Sequence, residues 1–183
     1  MSKVLVPLAD GFEEIEAVTI VDLLRRAGVE VRTASLAGRE VTGSHGITVM
    51  ADSDLDEVEA GDYDMIVLPG GMPGTTHLKS DSRVARLLRQ FAESGRYTAA
   101  ICAAPSVLAH AGLLEGRKAT SFPGFLTPGS APGIRLSEDA VVVDGKVATS
   151  RGPGTALPFG LALIELLEGP EVRRDVQDRL QLP

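Results

Sequence analysis

Apolar runs of strand length alternate with amphipathic helix patterns along almost the whole chain, and this alternation restricts its fold more than any other feature. Val4-Leu5-Val6-Pro7-Leu8 reads as a buried strand. Over Glu13 to Ala27, the apolar positions Ile20, Leu23, Leu24 and Ala27 follow the i, i+3, i+4, i+7 spacing of a helix face, and Gly28 closes the pattern. Val29 to Leu36 reads as a second strand and Asp64 to Pro69 as a third. An amphipathic helix is expected over Ser82 to Ser94, with Val84, Leu87, Leu88 and Phe91 on one face. A strand ending at Cys102 follows, then a helix starting near Pro105. Thr155 to Leu167 and Glu171 to Leu180 read as further helices. Strands that are apolar throughout and alternate with helices predict a mostly parallel sheet covered on both faces, an α/β sandwich.

Two departures from the alternation read as β-hairpins. One lies in the polar stretch Ala37 to Asp52, with Val41-Thr42 and Ile47-Thr48-Val49 flanking Ser44-His45-Gly46. The other is Ala140 to Thr149 around Asp144-Gly145. Phe122 to Gly133 holds three prolines and three glycines and is expected to be irregular. No repeat or linker divides the 183 residues, which suit one domain, residues 1–183, with a full core.

Charge and composition exclude several function classes. The net charge of −7 and the absence of any basic run disfavour nucleic acid as a partner. With no Trp, two Tyr and five Phe, a base-stacking platform is not expected. No stretch has the length of a membrane span, and the N-terminus lacks a signal-peptide pattern. A single cysteine rules out an intrachain disulfide framework and fits a reducing compartment, so a cytoplasmic location is expected. No His/Cys/Asp cluster has zinc-ligand spacing, and neither a metal nor a cofactor is expected.

That cysteine carries the candidate chemistry. Cys102 sits where a strand gives way to a helix, in Ala99-Ala100-Ile101-Cys102-Ala103-Ala104-Pro105. Such a turn aims one side chain outward above free backbone N–H groups, as nucleophile elbows do. A lone cysteine in an apolar stretch also packs well as a small hydrophobe. A following helix N-terminus would lower the thiol pKa. In open parallel sheets, ligands bind beyond the C-terminal strand ends. That rule gathers Ala9 to Glu16, Gly70 to Gly74 and Cys102 to Pro105 on one rim. The amides of Gly71 and Ala103 are then candidate oxyanion donors, with Gly70 a further oxyanion or substrate-binding candidate beside them. Glu16, set among Ile15, Ala17 and Val18, is expected to point inward as an acid partner for the thiol, whereas Glu13 and Glu14 fit the first turn of a helix. His110 lies about 12 Å of helix rise from Cys102, too far for a dyad, and His45 and His77 sit in loops. Ser150-Arg151-Gly152-Pro153-Gly154-Thr155 could hold an anion at a helix start or could simply be a helix-entry turn.

Taken together, Gly11-Phe12-Glu13-Glu14-Ile15-Glu16, Val67-Leu68-Pro69-Gly70-Gly71, Ala99 to Pro105 and Ser150 to Thr155 resemble the ThiJ/PfpI superfamily. The similarity is to the branch of the Parkinson-disease-associated deglycase and its bacterial YajL-like relatives, and it covers essentially the whole chain. The resemblance implies a flavodoxin-like three-layer sandwich that forms homodimers. It also implies Cys102 as an oxidation-sensitive nucleophile, Glu16 as a protonated carboxyl bonded to it, and Gly71 and Ala103 as oxyanion donors. Arg26 and the hairpin around His45 would lie near the dimer interface, with Phe122 and Arg151 close to the site. Phe122 stands where some members carry a histidine, and Ala103 stands where the protease-like branch does, so a Cys–His mechanism lacks its base. His45 stands where members carry an arginine. The implied activity is a cofactor-free glyoxalase or deglycase acting on a small aldehyde, or on its adducts with a thiol or a protein amine. The rival expectation is an oxidative-stress sensor or redox-regulated chaperone that works through oxidation of Cys102.

Overall fold

The computed structural model describes residues 1–182. Its elements run in chain order as β1 (Lys3–Leu8), α1 (Glu14–Arg26), β2 (Glu30–Ser35), β3 (Glu40–Thr42), β4 (Thr48–Met50), β5 (Ser53–Asp54), β6 (Met65–Leu68), α2 (Gly74–Ser80), α3 (Ser82–Glu93), β7 (Tyr97–Ile101), α4 (Pro105–His110), β8 (Lys118–Ala119), β9 (Arg135–Leu136), β10 (Val141–Asp144), β11 (Val147–Ser150), α5 (Ala156–Glu168) and α6 (Pro170–Arg179). Seven strands form the central sheet in the order β10-β11-β7-β6-β1-β2-β5. Every neighbouring pair is parallel except β10 with β11, the hairpin at one edge.

The two-residue period of the strands explains the three layers. In β1, Val4, Val6 and Leu8 join the core on one face, with Ile20, Leu23 and Leu24 of α1 and Phe159, Leu163 and Ile164 of α5. Leu5, one residue out of phase, joins the other core with Leu87, Leu88 and Phe91 of α3 and Val107 and Leu108 of α4. A fully buried side chain such as Phe91 contributes about 2–3 kcal/mol to that face.

Local signals set the helix ends. Glu13 caps α1 by accepting the Ile15 N–H, and Asp81 caps α3 through the Arg83 N–H. Gly28, at φ 79°, turns the chain out of α1. Pro105 and Pro170 open α4 and α6, where a missing N–H costs nothing. The stretch Ala37 to Asp52 is the expected hairpin, with β3 and β4 antiparallel in a sheet of their own.

The sequence reading missed α2. Gly74-Thr75-Thr76-His77 offers no apolar period, and the buried Thr75 and Leu78 anchor the helix by tertiary packing instead. Strand order reverses between β1 and β6. There the ends of β1, β6 and β7 open onto one crevice, the switch point where ligands of doubly wound sheets bind. Among the described residues, no helix is long and apolar enough to cross a membrane.

Candidate active site

Cys102 closes β7 with φ 64°, in the left-handed region that non-glycine residues adopt at a cost of about 1–2 kcal/mol. The surrounding backbone enforces this conformation. The Cys102 N–H donates to the Ser150 carbonyl at 3.0 Å, and its own carbonyl accepts the Phe122 N–H at 2.8 Å. The half-buried sulfur meets the carboxyl group of Glu16 and the backbone N–H groups of Ala103 and Gly71. The two amides singled out as oxyanion donors thus converge on the nucleophile.

Glu16 lies in the first turn of α1, fully buried, and points into the crevice. The Gly70 N–H donates to its Oε2 at 2.8 Å. Gly70 therefore anchors the carboxyl, and the expectation that it helps bind substrate through its amide is corrected: that donor is already committed. Its lack of a side chain is equally necessary. A Cβ on Gly70 would stand 2.7 Å from Cys102 Cβ and 2.8 Å from Glu16 Oε2. At Gly71, with φ 90°, a Cβ would fall 2.3 Å from the Glu13 nitrogen. Only glycines let β6 approach the elbow this closely.

The electrostatics correct one expectation about the thiol. The helix after Cys102 is only six residues long, so its dipole is small. Burial, then the charge of the neighbouring Glu16 carboxyl, push the Cys102 thiol up to about 12, against the opposing pull of the Ala103 and Gly71 amides. Burial pushes Glu16 up to about 7, opposed by the neighbouring Cys102 thiol and the Gly70 N–H and assisted by the charge of Glu13, while its Oε1 has no hydrogen-bond partner. The two groups titrate as a unit, and between those values one proton is shared between sulfur and carboxyl. The helix end does not make a free low-pKa thiolate. What the site offers is a sulfur whose proton can pass to an adjacent buried carboxyl while two N–H groups steady the charge.

The remaining candidates fall into three groups. Phe122 is beside the elbow: its N–H holds the Cys102 carbonyl, and its half-exposed ring packs edge-to-face on Phe125 with centroids 6.2 Å apart. Arg151 follows the strand that holds the Cys102 N–H. It donates to the Glu138 carbonyl at 3.0 Å and lines a cavity of about 350 Å³ with Ser121 and Ser137. The anion-binding reading of its loop is corrected, because the Arg151 and Gly152 N–H groups both donate to Thr155 Oγ1, at 3.2 and 3.0 Å. Arg26 lies outside the site of its own chain. It pairs with Asp22 at 2.8 Å on the exposed face of α1, ten residues and about 15 Å of helix rise beyond Glu16.

No histidine reaches the sulfur. His77 Nδ1 contacts the Asp10 carbonyl at 3.0 Å, and His110 is exposed at the end of α4. His45 Nδ1 lies 3.2 Å from Glu14 Oε2 and 3.5 Å from Glu13 Oε2. The dipole reading of Glu13 and Glu14 covers only part of their role. Both are buried, and they bind the tip of the β3–β4 hairpin: Glu14 Oε1 accepts the His45 and Ile47 N–H groups, and both Oε2 atoms accept from Ser44 Oγ. Burial alone would raise Glu14, but these donors and its own N–H hold it below the usual carboxylate range. Every carboxylate oxygen of the pair faces a protein donor, which ties the hairpin tip to the start of α1. The available signal was three carboxyls within four residues beside a glycine-flanked hairpin tip.

This geometry, a strained cysteine facing a buried glutamate across two glycines, has counterparts. Residues 2–166 match the model of the DJ-1/PfpI family. The chain belongs to that family. Among curated relatives, the DJ-1 homolog A of Arabidopsis thaliana is 41% identical over 181 residues, 98% of this chain and 46% of the relative, so the chain spans about half the length of that plant protein. A deglycase of Thermococcus kodakarensis is 36% identical over 165 residues, covering 90% of this chain and 99% of the relative. Among solved structures, oxidised DJ-1 of Toxoplasma gondii superposes with a TM-score of 0.92 at 40% identity, covering 98% of each chain. The flavodoxin-like sandwich expected from the sequence is the fold these DJ-1 structures share. These similarities identify the family and do not single out a bacterial subdivision of it.

Proposed function

We propose that this chain is a cysteine-dependent, cofactor-free glyoxalase or deglycase acting on small α-oxoaldehydes such as methylglyoxal, or on their early adducts with thiols and protein amines. The observation that carries the reading is the Cys102 sulfur set against the Glu16 carboxyl and the Gly71 and Ala103 N–H groups. Support comes from the archaeal relative named as a deglycase. Cys102 sulfur adds to the aldehyde carbon as its proton passes to Glu16, giving a hemithioacetal whose oxygen the two amides stabilise. Glu16 then moves a proton from the former aldehyde carbon to the neighbouring carbon through an enediol. The first carbon is oxidised and the second reduced, so no external oxidant is needed. Water cleaves the resulting thioester, releasing a hydroxy acid such as lactate and restoring the thiol. The test is lactate formation by the wild type, Cys102→Ser and Glu16→Ala. Loss of turnover in both variants supports the reading, and equal rates in all three overturn it.

A second reading has its own support in the oxidised Toxoplasma relative. Peroxide would carry Cys102 through the sulfenic to the sulfinic acid, with Glu16 and the two amides holding the added oxygens. A stable gain of two oxygens on Cys102 after mild peroxide treatment, together with negligible lactate formation, favours this sensor or chaperone role.

A homodimer is proposed through α1 and the β3–β4 hairpin. Ile15, Val18, Ile47 and Met50 are 52–64% exposed there, an apolar cluster suited to a second copy of the chain. Met50→Glu should then shift sedimentation to a monomer. A cytoplasmic setting remains the expectation drawn from the single reduced cysteine.

A further inference from the structure

The cavity of about 350 Å³ beside Arg151 is separate from the Cys102–Glu16 crevice, and neither of those residues lines it. Two segments that hold the elbow form its walls. Arg151 follows Ser150, whose carbonyl accepts the Cys102 N–H, and Ser121 precedes Phe122, whose N–H donates to the Cys102 carbonyl. The volume lies at the lower end of the range for small-molecule sites, about 300–1,000 Å³. Its serines are already committed. Ser121 Oγ donates to the Phe122 carbonyl at 2.9 Å and accepts the Leu126 N–H at 3.1 Å. Ser137 Oγ donates to Asp139 Oδ2 at 2.8 Å and accepts the Asp139 N–H at 3.1 Å. Two charged groups are not committed. The half-buried Arg151 guanidinium donates from Nη1 to the Glu138 carbonyl at 3.0 Å, which fixes its position, and its Nε and Nη2 meet no acceptor among the described residues. The Glu138 carboxylate lines the same cavity and has no hydrogen bond or ion pair among the described residues, Arg151 included. Thr120, 1% exposed, also lines it, and its Oγ1 has no hydrogen-bond partner. Leu126 and Leu136 add apolar surface.

We propose that this cavity binds a free α-amino acid with an apolar side chain. Arg151 takes the carboxylate through the donors that the Glu138 carbonyl leaves free. Glu138 takes the ammonium, and the apolar side chain lies against Leu126 and Leu136. The guanidinium is planar and held in place, which suits it to a carboxylate. The pair of opposite charges selects the ligand class. A simple anion would be repelled by Glu138 and a simple cation by Arg151, whereas a zwitterion satisfies both at once. Recognition runs through the Arg151 side chain and not through the loop amides, which Thr155 Oγ1 already occupies.

The proposal does not depend on the deglycase reading, and its test needs no turnover. Amide NMR shifts of the isotope-labelled full chain are followed during titration with leucine, with leucine amide, which lacks the carboxylate, and with N-acetyl-leucine, which lacks the ammonium. Leucine should shift the amides of Ser121, Ser137, Glu138 and Arg151, and should bind at least about threefold tighter than either analogue. Arg151→Gln should weaken leucine about tenfold without weakening leucine amide. Glu138→Gln, at an exposed position, should weaken leucine about threefold without weakening N-acetyl-leucine. Cys102→Ser should bind leucine as the wild type does. The amide spectra show whether each variant is folded, and Arg151→Lys, which keeps the charge, should recover part of the affinity lost in Arg151→Gln. Absence of any shift at about 50 mM leucine, shifts centred on Glu16 and Gly71 that vanish in Cys102→Ser, or equal binding of leucine and both analogues each overturns the proposal. So does wild-type leucine affinity in Arg151→Gln.

Discussion

The Gly70 amide binds Glu16 Oε2 at 2.8 Å while the backbone of Gly70 leaves no room for a side chain between that carboxyl and Cys102. One glycine therefore both holds the acid and permits its contact with the sulfur. The thiol and the carboxyl form one titrating unit, and the unit can be taken apart by substitution.

Alkylation of Cys102 should show this directly. In the wild type, Glu16 gives up its proton as pH rises through about 7, and the carboxylate it leaves keeps the thiol protonated toward about 12. In Glu16→Gln the thiol titrates alone, without the carboxylate charge that pushes it up. The midpoint should move downward, toward the ordinary thiol value of about 8.5. An unchanged midpoint, read from iodoacetamide rates between about pH 5 and 10, would mean that the two groups are not coupled.

Stability should carry the same signature with a defined sign. Glu16 rises from 4.5 to about 7 on folding, so the folded chain binds more protons than the unfolded chain between those values. Its contribution is fully present below about pH 4.5 and is lost as pH climbs through about 7. Glu16→Gln keeps an oxygen for the Gly70 N–H and carries no charge. It should therefore gain about 2–3 kcal/mol over the wild type between pH 4.5 and 8. Urea midpoints at the two pH values test this, and a constant difference would remove the burial argument.

Gly70→Ala should damage both stability and reactivity. The added Cβ would fall within 3 Å of Cys102 Cβ, Glu16 Oε2 and the Ile101 carbonyl. Two of these are backbone or near-backbone atoms that cannot swing away, so a loss of about 2–3 kcal/mol is expected. The displaced Glu16 should also shift the alkylation profile toward that of Glu16→Gln. A variant with wild-type urea midpoint and wild-type profile would contradict the close approach of β6 and β7.

The layers and the site were legible in the sequence to different depths. Apolar runs gave the strands, because burial on both faces leaves Val4 to Leu8 and Met65 to Leu68 no polar position to lose. Cys102, Glu16, Gly71 and Ala103 could be gathered because strand ends share a rim in any such sheet. The commitments of backbone amides could not be read: that Gly70 binds Glu16, and that Thr155 Oγ1 takes the Arg151 and Gly152 amides, depends on side-chain placement. The direction of the thiol shift was also hidden. It is set by burial and by a carboxyl eighty-six residues away in the chain, against which a six-residue helix has little effect.

The elbow itself makes the last prediction. Cys102 holds φ 64°, where a side chain costs about 1–2 kcal/mol and glycine costs almost nothing. Cys102→Ala and Cys102→Gly both delete the sulfur and its contact with Glu16, so comparing them isolates the backbone. Elsewhere, replacing alanine by glycine lowers stability by about 0.5–1 kcal/mol through the entropy of the unfolded chain. At this position the order should reverse, with Cys102→Gly more stable than Cys102→Ala by up to about 1 kcal/mol. A β-branched residue, Cys102→Val, should be the least stable of the three because its χ1 freedom is lowest in this conformation. Denaturation midpoints at pH 6 would settle the order, and an alanine variant more stable than the glycine one would show that the backbone at the elbow is relaxed.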